Sequence, residues 1–511
     1  MEWVYAGVLV VYFVIMIYIG YRARSSANSV GGFVLGGRNV GPWLSAFAYG
    51  TSYFSAVIFI GYAGQFGWKF GISATWIGIG NALIGSLLAW KLLGSKTRCM
   101  TQRLESATMP DFFSKRFGDD KLKIIASIII FIFLIPYTAS LYKGLGGLFE
   151  MAFNIPYPIC IAIMAVVTAI YVLIGGYMAT AWNDFIQGII MLFGIVVVVV
   201  AVVATQGGLA SALESLGQIS APGIPQGSLN SLIGPDAYGL IMVVILTSLG
   251  TWGLPQMVQK FYAIKDDGAV KKGMIISTIF ALIVAGGCYF LGGFGRLFDD
   301  PSLYTSSGAI KYDAIIPSML SNLSPVIIAL VLVLVVSASM STLSSLVMSS
   351  SSTITLDLIK GKFKPQISQK AQMNCLRIFV AIFVLISAVI AIVYETSGLS
   401  FIAQMMGVSW GALAGSFLAP YLYSLYSKKV TKTATLTCFI FGVTMSVISF
   451  VISMVPEIKT ALAGTFIYDY VFVSPIYVGA WTMLISLVIV PIVSSFTKKP
   501  DNEILSRAFG D

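Results

Sequence analysis

Residues 50 to 55 read Gly50-Thr51-Ser52-Tyr53-Phe54-Ser55, in the middle of a run from Trp43 to Ala63 that is otherwise apolar enough to cross a bilayer. Glycine disfavours a helix interior by about 1 kcal/mol, and serine and threonine hydroxyls compete for backbone groups. The stretch therefore reads as an interrupted membrane helix. A second interruption is Thr247-Ser248-Leu249-Gly250-Thr251-Trp252-Gly253-Leu254-Pro255, where proline adds a penalty of about 3 kcal/mol. Broken backbone at membrane depth is tolerated only where it is buried or lines a cavity.

The bulk composition puts both breaks in a membrane. Of 511 residues 57% are hydrophobic and 10% charged, against about 25% charged in a soluble domain. The chain is expected to be an all-α integral membrane protein forming one polytopic domain. It has no histidine, which excludes zinc-histidine sites and Ser-His or Cys-His catalysis. With no paired carboxylates standing out in the spans, no enzymatic activity is expected. The five cysteines are far apart with no CxxC, so a disulfide framework is not expected. The first apolar run, Val4 to Gly20, has no basic segment before it and Arg22 and Arg24 after it. It reads as a first transmembrane helix rather than a cleaved signal.

A span needs roughly 20 apolar residues. Thirteen candidates start near residues 4, 41, 72, 122, 155, 184, 236, 270, 322, 371, 400, 433 and 470, here helices 1 to 13. With the N-terminus outside, 26 of the 31 lysines and arginines fall on the inner side; Lys69, Lys143, Arg296, Lys311 and Lys459 face outward. That split is a positive-inside signal. It predicts a cytoplasmic C-terminus and explains the net charge of +10 without nucleic acid. The interrupted helices 2 and 7 are five apart, so they run in opposite directions. The expected layout is helix 1 at 4–22, a first unit at about 41–205 and an external loop at 206–236. An inverted second unit follows at about 236–427, then helices 12 and 13 at about 433–496 and a cytoplasmic tail at 497–511. Either break alone fits the glycine and serine enrichment of membrane helices. Paired interruptions in corresponding places point to a transporter's binding site.

Helix 9 carries a third signal. Residues 337–355, SASMSTLSSLVMSSSSTIT, are dense in hydroxyls. Ala338, Ser341, Thr342 and Ser345 fall at i, i+3, i+4 and i+7, on one face. Many such hydroxyls bond back to their own helix. Neutral hydroxyls and carbonyls also suit sodium. Asp184, in Ala181-Trp182-Asn183-Asp184, reads as the N-cap of helix 6, and a place on a cation path is compatible with that.

Several stretches in this order resemble the sodium/solute symporter family over nearly the whole chain. They are Phe33-Val34-Leu35-Gly36-Gly37-Arg38; Met109-Pro110-Asp111-Phe112-Phe113 with Arg116-Phe117; Tyr171-Val172-Leu173-Ile174-Gly175-Gly176-Tyr177 with Trp182-Asn183-Asp184-Phe185-Ile186-Gln187; and Met340-Ser341-Thr342-Leu343-Ser344. The resemblance implies a five-plus-five inverted-repeat core with discontinuous helices and sodium-coupled alternating access at the plasma membrane. By position it implies a sodium site from the carbonyls of Thr51, Phe54 and Ala338 and the hydroxyls of Ser341 and Thr342. Asp184 and Ser345 would lie on the ion path. Gly50, Arg38, Gly253 and Pro255 would have structural or gating roles. Solute contacts are expected from Tyr53, Ser55, Thr247, Thr251 and Trp252. The implied partners are sodium, a small solute and the bilayer.

Two departures stand out, the first beside the ion and the second at the solute. The family's proline branch carries an aspartate where this chain has Tyr53, and Trp and Tyr where it has Thr247 and Thr251. Gly253-Leu254-Pro255 looks more like the pantothenate and monocarboxylate branches. The expected solute is a small carboxylate or amino-acid-like compound. The alternatives are a proline-type symporter, a sodium-independent or proton-coupled transporter, and a solute sensor on the same scaffold.

Overall fold

The computed structural model describes residues 2–153, 155–321, 323–395 and 402–510. Among these the regular elements are helices, with three isolated backbone bridges. Ten helices are long and apolar enough to cross a membrane, or eleven when one bent pair is taken as a single span. The thirteen expected spans are not reproduced as separate helices, and the reason is geometric. Continuous helical stretches run from Val57 to Arg103 and from Tyr157 to Thr205. At 1.5 Å per residue either would far exceed a hydrocarbon core of about 30 Å. Each passes through a glycine with positive φ, Gly71 (φ 61°) and Gly176 (φ 55°), where the chain turns. Only glycine takes that conformation without a Cβ clash. The expected starts at Asn322 and Ser400 lie outside the described residues.

Seven helices position the site: α1 (Pro42–Tyr53), α2 (Ala63–Phe70), α3 (Tyr157–Thr205), α4 (Ala237–Gly253), α5 (Pro255–Tyr262), α6 (Pro325–Ser352) and α7 (Ile402–Tyr426). The first interrupted span is α1 and α2 around a break. Phe54 leaves the helix at φ −87°, ψ 124°, and a π-helical turn, Val57–Tyr62, leads into α2. The second is α4 and α5, bent by 45° at Leu254, whose φ −77° and ψ 123° nearly repeat those of Phe54. Pro255 starts α5 at a position where a proline's missing N–H has no helical partner to lose.

The two spans meet at one end. The Val40 N–H donates to the Ala263 carbonyl at 3.0 Å, and the Lys265 N–H to the Val40 carbonyl at 3.2 Å. The start of the α1 span and the finish of the α5 span therefore lie side by side, so the two spans run in opposite directions. Between them lies α6, buried continuously from Val331 to Ser352. It packs against α1, α3 and the helix Asp120–Phe153. The equally buried α7 packs on α4 and on the helices Lys432–Met454 and Pro475–Phe496.

The 206–236 connector is folded. It contains a helix, Leu209–Gln218. Its Leu229 carbonyl accepts from the Ile72 N–H at 2.8 Å, and its Leu232 carbonyl from Trp76 Nε1 at 2.9 Å, so it covers the turn at Gly71. At the opposite end a short helix, Asn502–Phe509, docks with Phe509 5.1 Å beneath the Arg116 guanidinium. Arg116 also donates to the Ser424 and Ser427 carbonyls at 3.2 and 3.0 Å. Its burial lowers its pKa to about 10. All five cysteines are free thiols.

Candidate functional site

The break in the first span exposes backbone oxygens to the hydroxyl face of α6. The Ala56 N–H, which a continuous helix would bond to the Ser52 carbonyl, donates instead to Ser339 Oγ at 3.1 Å. The Ile58 N–H turns back to the Ser55 carbonyl at 3.0 Å, which leaves the Phe54 carbonyl free to face α6. There Ser341 Oγ lies 3.0 Å from the Thr51 carbonyl oxygen and 2.9 Å from that of Ala338. Thr342 Oγ1 lies 3.2, 3.2 and 3.1 Å from the carbonyl oxygens of Thr51, Phe54 and Ala338. All five residues expected around sodium are thus brought together, each buried. Two hydroxyl protons face three carbonyls with two lone pairs each, so the oxygens outnumber the protons that can satisfy them. An uncharged set of carbonyls and hydroxyls at an unwound helix suits a desolvated monovalent cation.

A polar track leaves this cluster. Ser345 Oγ lies 3.1 Å from the Ser341 carbonyl and 2.6 Å from Ser52 Oγ. It then lines a small cleft with Tyr177, Thr180, Gln256, Gln259 and Lys260. Beside that cleft Asp184 Oδ2 stands 3.6 Å from Lys260 Nζ.

Two sequence readings change here. Asp184 is not an N-cap, because the turn falls at Gly176 and leaves Asp184 two helical turns into the following helix. Its neighbours Asn183 and Gln187 lean on the N-terminal helix, Glu2–Ala23, donating to the Met16 carbonyl and to Tyr12 Oη at 3.4 and 2.8 Å. Lys260, one of the 26 basic residues counted on the inner side, is buried within α5 rather than lying in a loop.

The expected solute residues divide into two groups. Tyr53 packs with its ring 6.0 Å from that of Trp410 and its hydroxyl facing Thr247. The Trp410 ring lies 5.9 Å from Tyr137, which faces Ser55. Tyr53, Ser55 and Thr247 therefore share one buried region with Trp410 and Tyr137, two residues the sequence did not single out. Thr251 and Trp252 point elsewhere. Thr251 Oγ1 is 3.0 Å from the Gly85 carbonyl, and Trp252 Nε1 donates to the Ile84 carbonyl at 3.0 Å. Tyr49 Oη joins them, donating to the Gly85 carbonyl at 2.8 Å. These three fasten the two interrupted spans to residues 84–85.

The structural candidates sit at close approaches. A Cβ on Gly50 would lie 2.5 Å from the Phe280 ring. One on Gly253 would lie 2.8 Å from both Ala414 Cα and Leu418 N. Arg38, with φ 56°, donates to Thr101 Oγ1, the Tyr262 carbonyl and the Ser106 carbonyl at 3.2, 3.4 and 2.5 Å. It thereby ties the start of α1 to the end of α5. Burial lowers its pKa, and the Tyr262 phenol opposes that.

The fold and site define a multi-pass helical membrane protein built around two oppositely directed, interrupted spans. The sequence profile of the sodium:solute symporter family matches residues 33–442, and the chain belongs to that family. It is 29% identical over 496 residues to the osmoregulated proline transporter OpuE of Bacillus subtilis strain 168, covering 96% of this chain and 94% of that protein. It is 30% identical over 445 residues to the sodium/proline symporter of Escherichia coli K12, covering 84% and 85%. Its fold matches that of a Na+-coupled sialic acid symporter in a substrate-bound outward-open state. The TM-score is 0.73 at 16% identity, over 97% of this chain and 98% of that one.

Proposed function

We propose that the protein imports a small carboxylate or amino-acid-like solute together with sodium, by alternating access. The observation that carries this reading is the convergence of Ser341 and Thr342 hydroxyls with the carbonyls of Thr51, Phe54 and Ala338 at the break. In this account sodium bridges α6 and the broken span. Its binding fixes the break, and the fixed break presents Tyr53 and Ser55 to the solute beside Thr247, Trp410 and Tyr137. Ser345 and Asp184 line the way out. The two spans would belong to a pair of inverted five-helix units. The supports are the repeated backbone angles at Phe54 and Leu254 and the antiparallel course of the spans. The charge asymmetry supports an external N-terminus and a cytoplasmic C-terminus in the plasma membrane.

A proline-type solute is the second reading, favoured by the relatives described as proline transporters. Tyr53 and Thr247 favour a different carboxylate, because a phenol and one small hydroxyl give the pocket a different shape and no carboxylate of its own. Uptake by reconstituted protein, screened over carboxylates, amino acids and sugars in sodium and in potassium, separates these. The expected outcome is sodium-dependent uptake competed by a monocarboxylate or pantothenate-like compound. High-affinity proline uptake without such competition selects the second reading.

A further inference from the structure

The Asp184 carboxylate is buried, 1% exposed at its side chain, yet neither oxygen lies within hydrogen-bond distance of a donor among the described residues. Lys260, 5% exposed, holds its ammonium 3.6 Å from Oδ2 and 5.3 Å from the centre of the Tyr177 ring. Charge and a π face hold it there, without a short hydrogen bond. Gln256, one turn earlier on α5, is buried with neither amide atom partnered. Buried ion pairs built for stability satisfy their remaining lone pairs and protons, and this pair does not. The cleft beside it is lined by Gln256, Lys260 and Ser345. Ser345 in turn is joined through the Ser341 carbonyl to the carbonyl–hydroxyl cluster.

We propose that Lys260 is a tethered cation that competes with the travelling sodium ion for Asp184, and so gates the inner part of the ion route. The inference rests on the sodium-coupled reading above. A desolvated carboxylate demands one positive charge nearby. While the ammonium holds Asp184, an arriving sodium meets a neutral pair and is not trapped. When sodium reaches Asp184, Lys260 must withdraw, and its flexible four-carbon stem permits that. Return of the ammonium then expels the ion. Without Lys260 the carboxylate would keep sodium, giving tighter binding and slower release. Gln256 supplies an amide that can solvate whichever cation is displaced.

The test is the thermal unfolding midpoint of the purified protein against sodium concentration, at constant ionic strength set with choline. The wild type is compared with Lys260→Met, Lys260→Arg and the double variant Asp184→Asn/Lys260→Met. Opposite charges about 4 Å apart interact strongly even at an effective dielectric of about 20. Lys260→Met should therefore respond to sodium at concentrations at least about tenfold lower than the wild type. Lys260→Arg should follow the wild type, and the double variant should lose the gain. If the wild type responds and Lys260→Met responds at the same concentration, the gate is overturned while sodium coupling stands. If neither responds, both fall together. If Lys260→Met does not fold, Lys260→Gln carries the same readout. Failure of both beside a stable double variant makes the pair purely structural and overturns the proposal.

Discussion

Thr342 can donate only one hydrogen bond at a time, yet its hydroxyl oxygen lies within 3.2 Å of three carbonyl oxygens. That surplus of acceptors at one residue is what the proposed cation site rests on. It was legible in the sequence, because the spacing of Ala338, Ser341 and Thr342 puts them on one helical face. Ser339 was not legible, since a serine on a serine-rich helix gives no hint that it caps a break in a different span. Its hydroxyl accepts from the Ala56 N–H. Ser339→Ala should strand that buried donor and destabilise the protein by about 1–3 kcal/mol. Chemical denaturation of the purified variant measures the loss. Unchanged stability would mean that the freed N–H finds another acceptor. Asp184 and Lys260 were misread for related reasons. A left-handed glycine at 176 moves a helix start, and counting charges by loop cannot see a lysine that turns inward.

At the scale of elements, each break turns on one extended residue, Phe54 or Leu254, with nearly the same backbone angles. Glycine and serine marked both stretches in the sequence, and proline the second. The packing partners were not marked, because they come from distant segments. Gly253 shows this. A Cβ there would lie 2.8 Å from backbone atoms of α7, which cannot swing aside as a side chain can. Gly253→Ala should force α4 and α7 apart at a cost of about 1–3 kcal/mol and lower the thermal unfolding midpoint. A normal midpoint with normal uptake would show that the close approach is dispensable. The solute residues were partly legible for the same reason. Thr251 and Trp252 lie in the interrupted stretch, yet their partners on residues 84–85 turn them to anchoring. Trp410 and Tyr137 reach the Tyr53 region from helices whose aromatic residues read simply as packing.

For the whole molecule, composition alone implied an all-helical membrane protein, and the charge asymmetry implied a direction. Counting spans failed where glycine turns fuse two helices into one run, at Gly71 and Gly176. The orientation predicts that residues 206–236 are outside and Lys91 to Lys123 inside. Single cysteines placed in a cysteine-free version and labelled in intact cells with an impermeant reagent check this. Labelling only in 206–236 is expected, and labelling only in the 91–123 segment would reverse the molecule.

In the proposed function, a cation held between α6 and the break couples solute movement to sodium. Loss of a hydrogen bond to a charged group costs about 1.5–3 kcal/mol, a fair proxy for losing one neutral oxygen ligand. That corresponds to a roughly 10- to 100-fold loss of affinity. Because coupling is reciprocal, sodium should tighten solute binding by the same factor that solute tightens sodium. The most direct measurement is solute uptake against sodium concentration for the wild type, Ser341→Ala and Thr342→Ala. Sodium half-saturation should rise about 10- to 100-fold in each variant, while solute affinity in saturating sodium should change far less. Unchanged half-saturation in both variants at normal expression, or equal wild-type uptake in potassium and sodium, would contradict it.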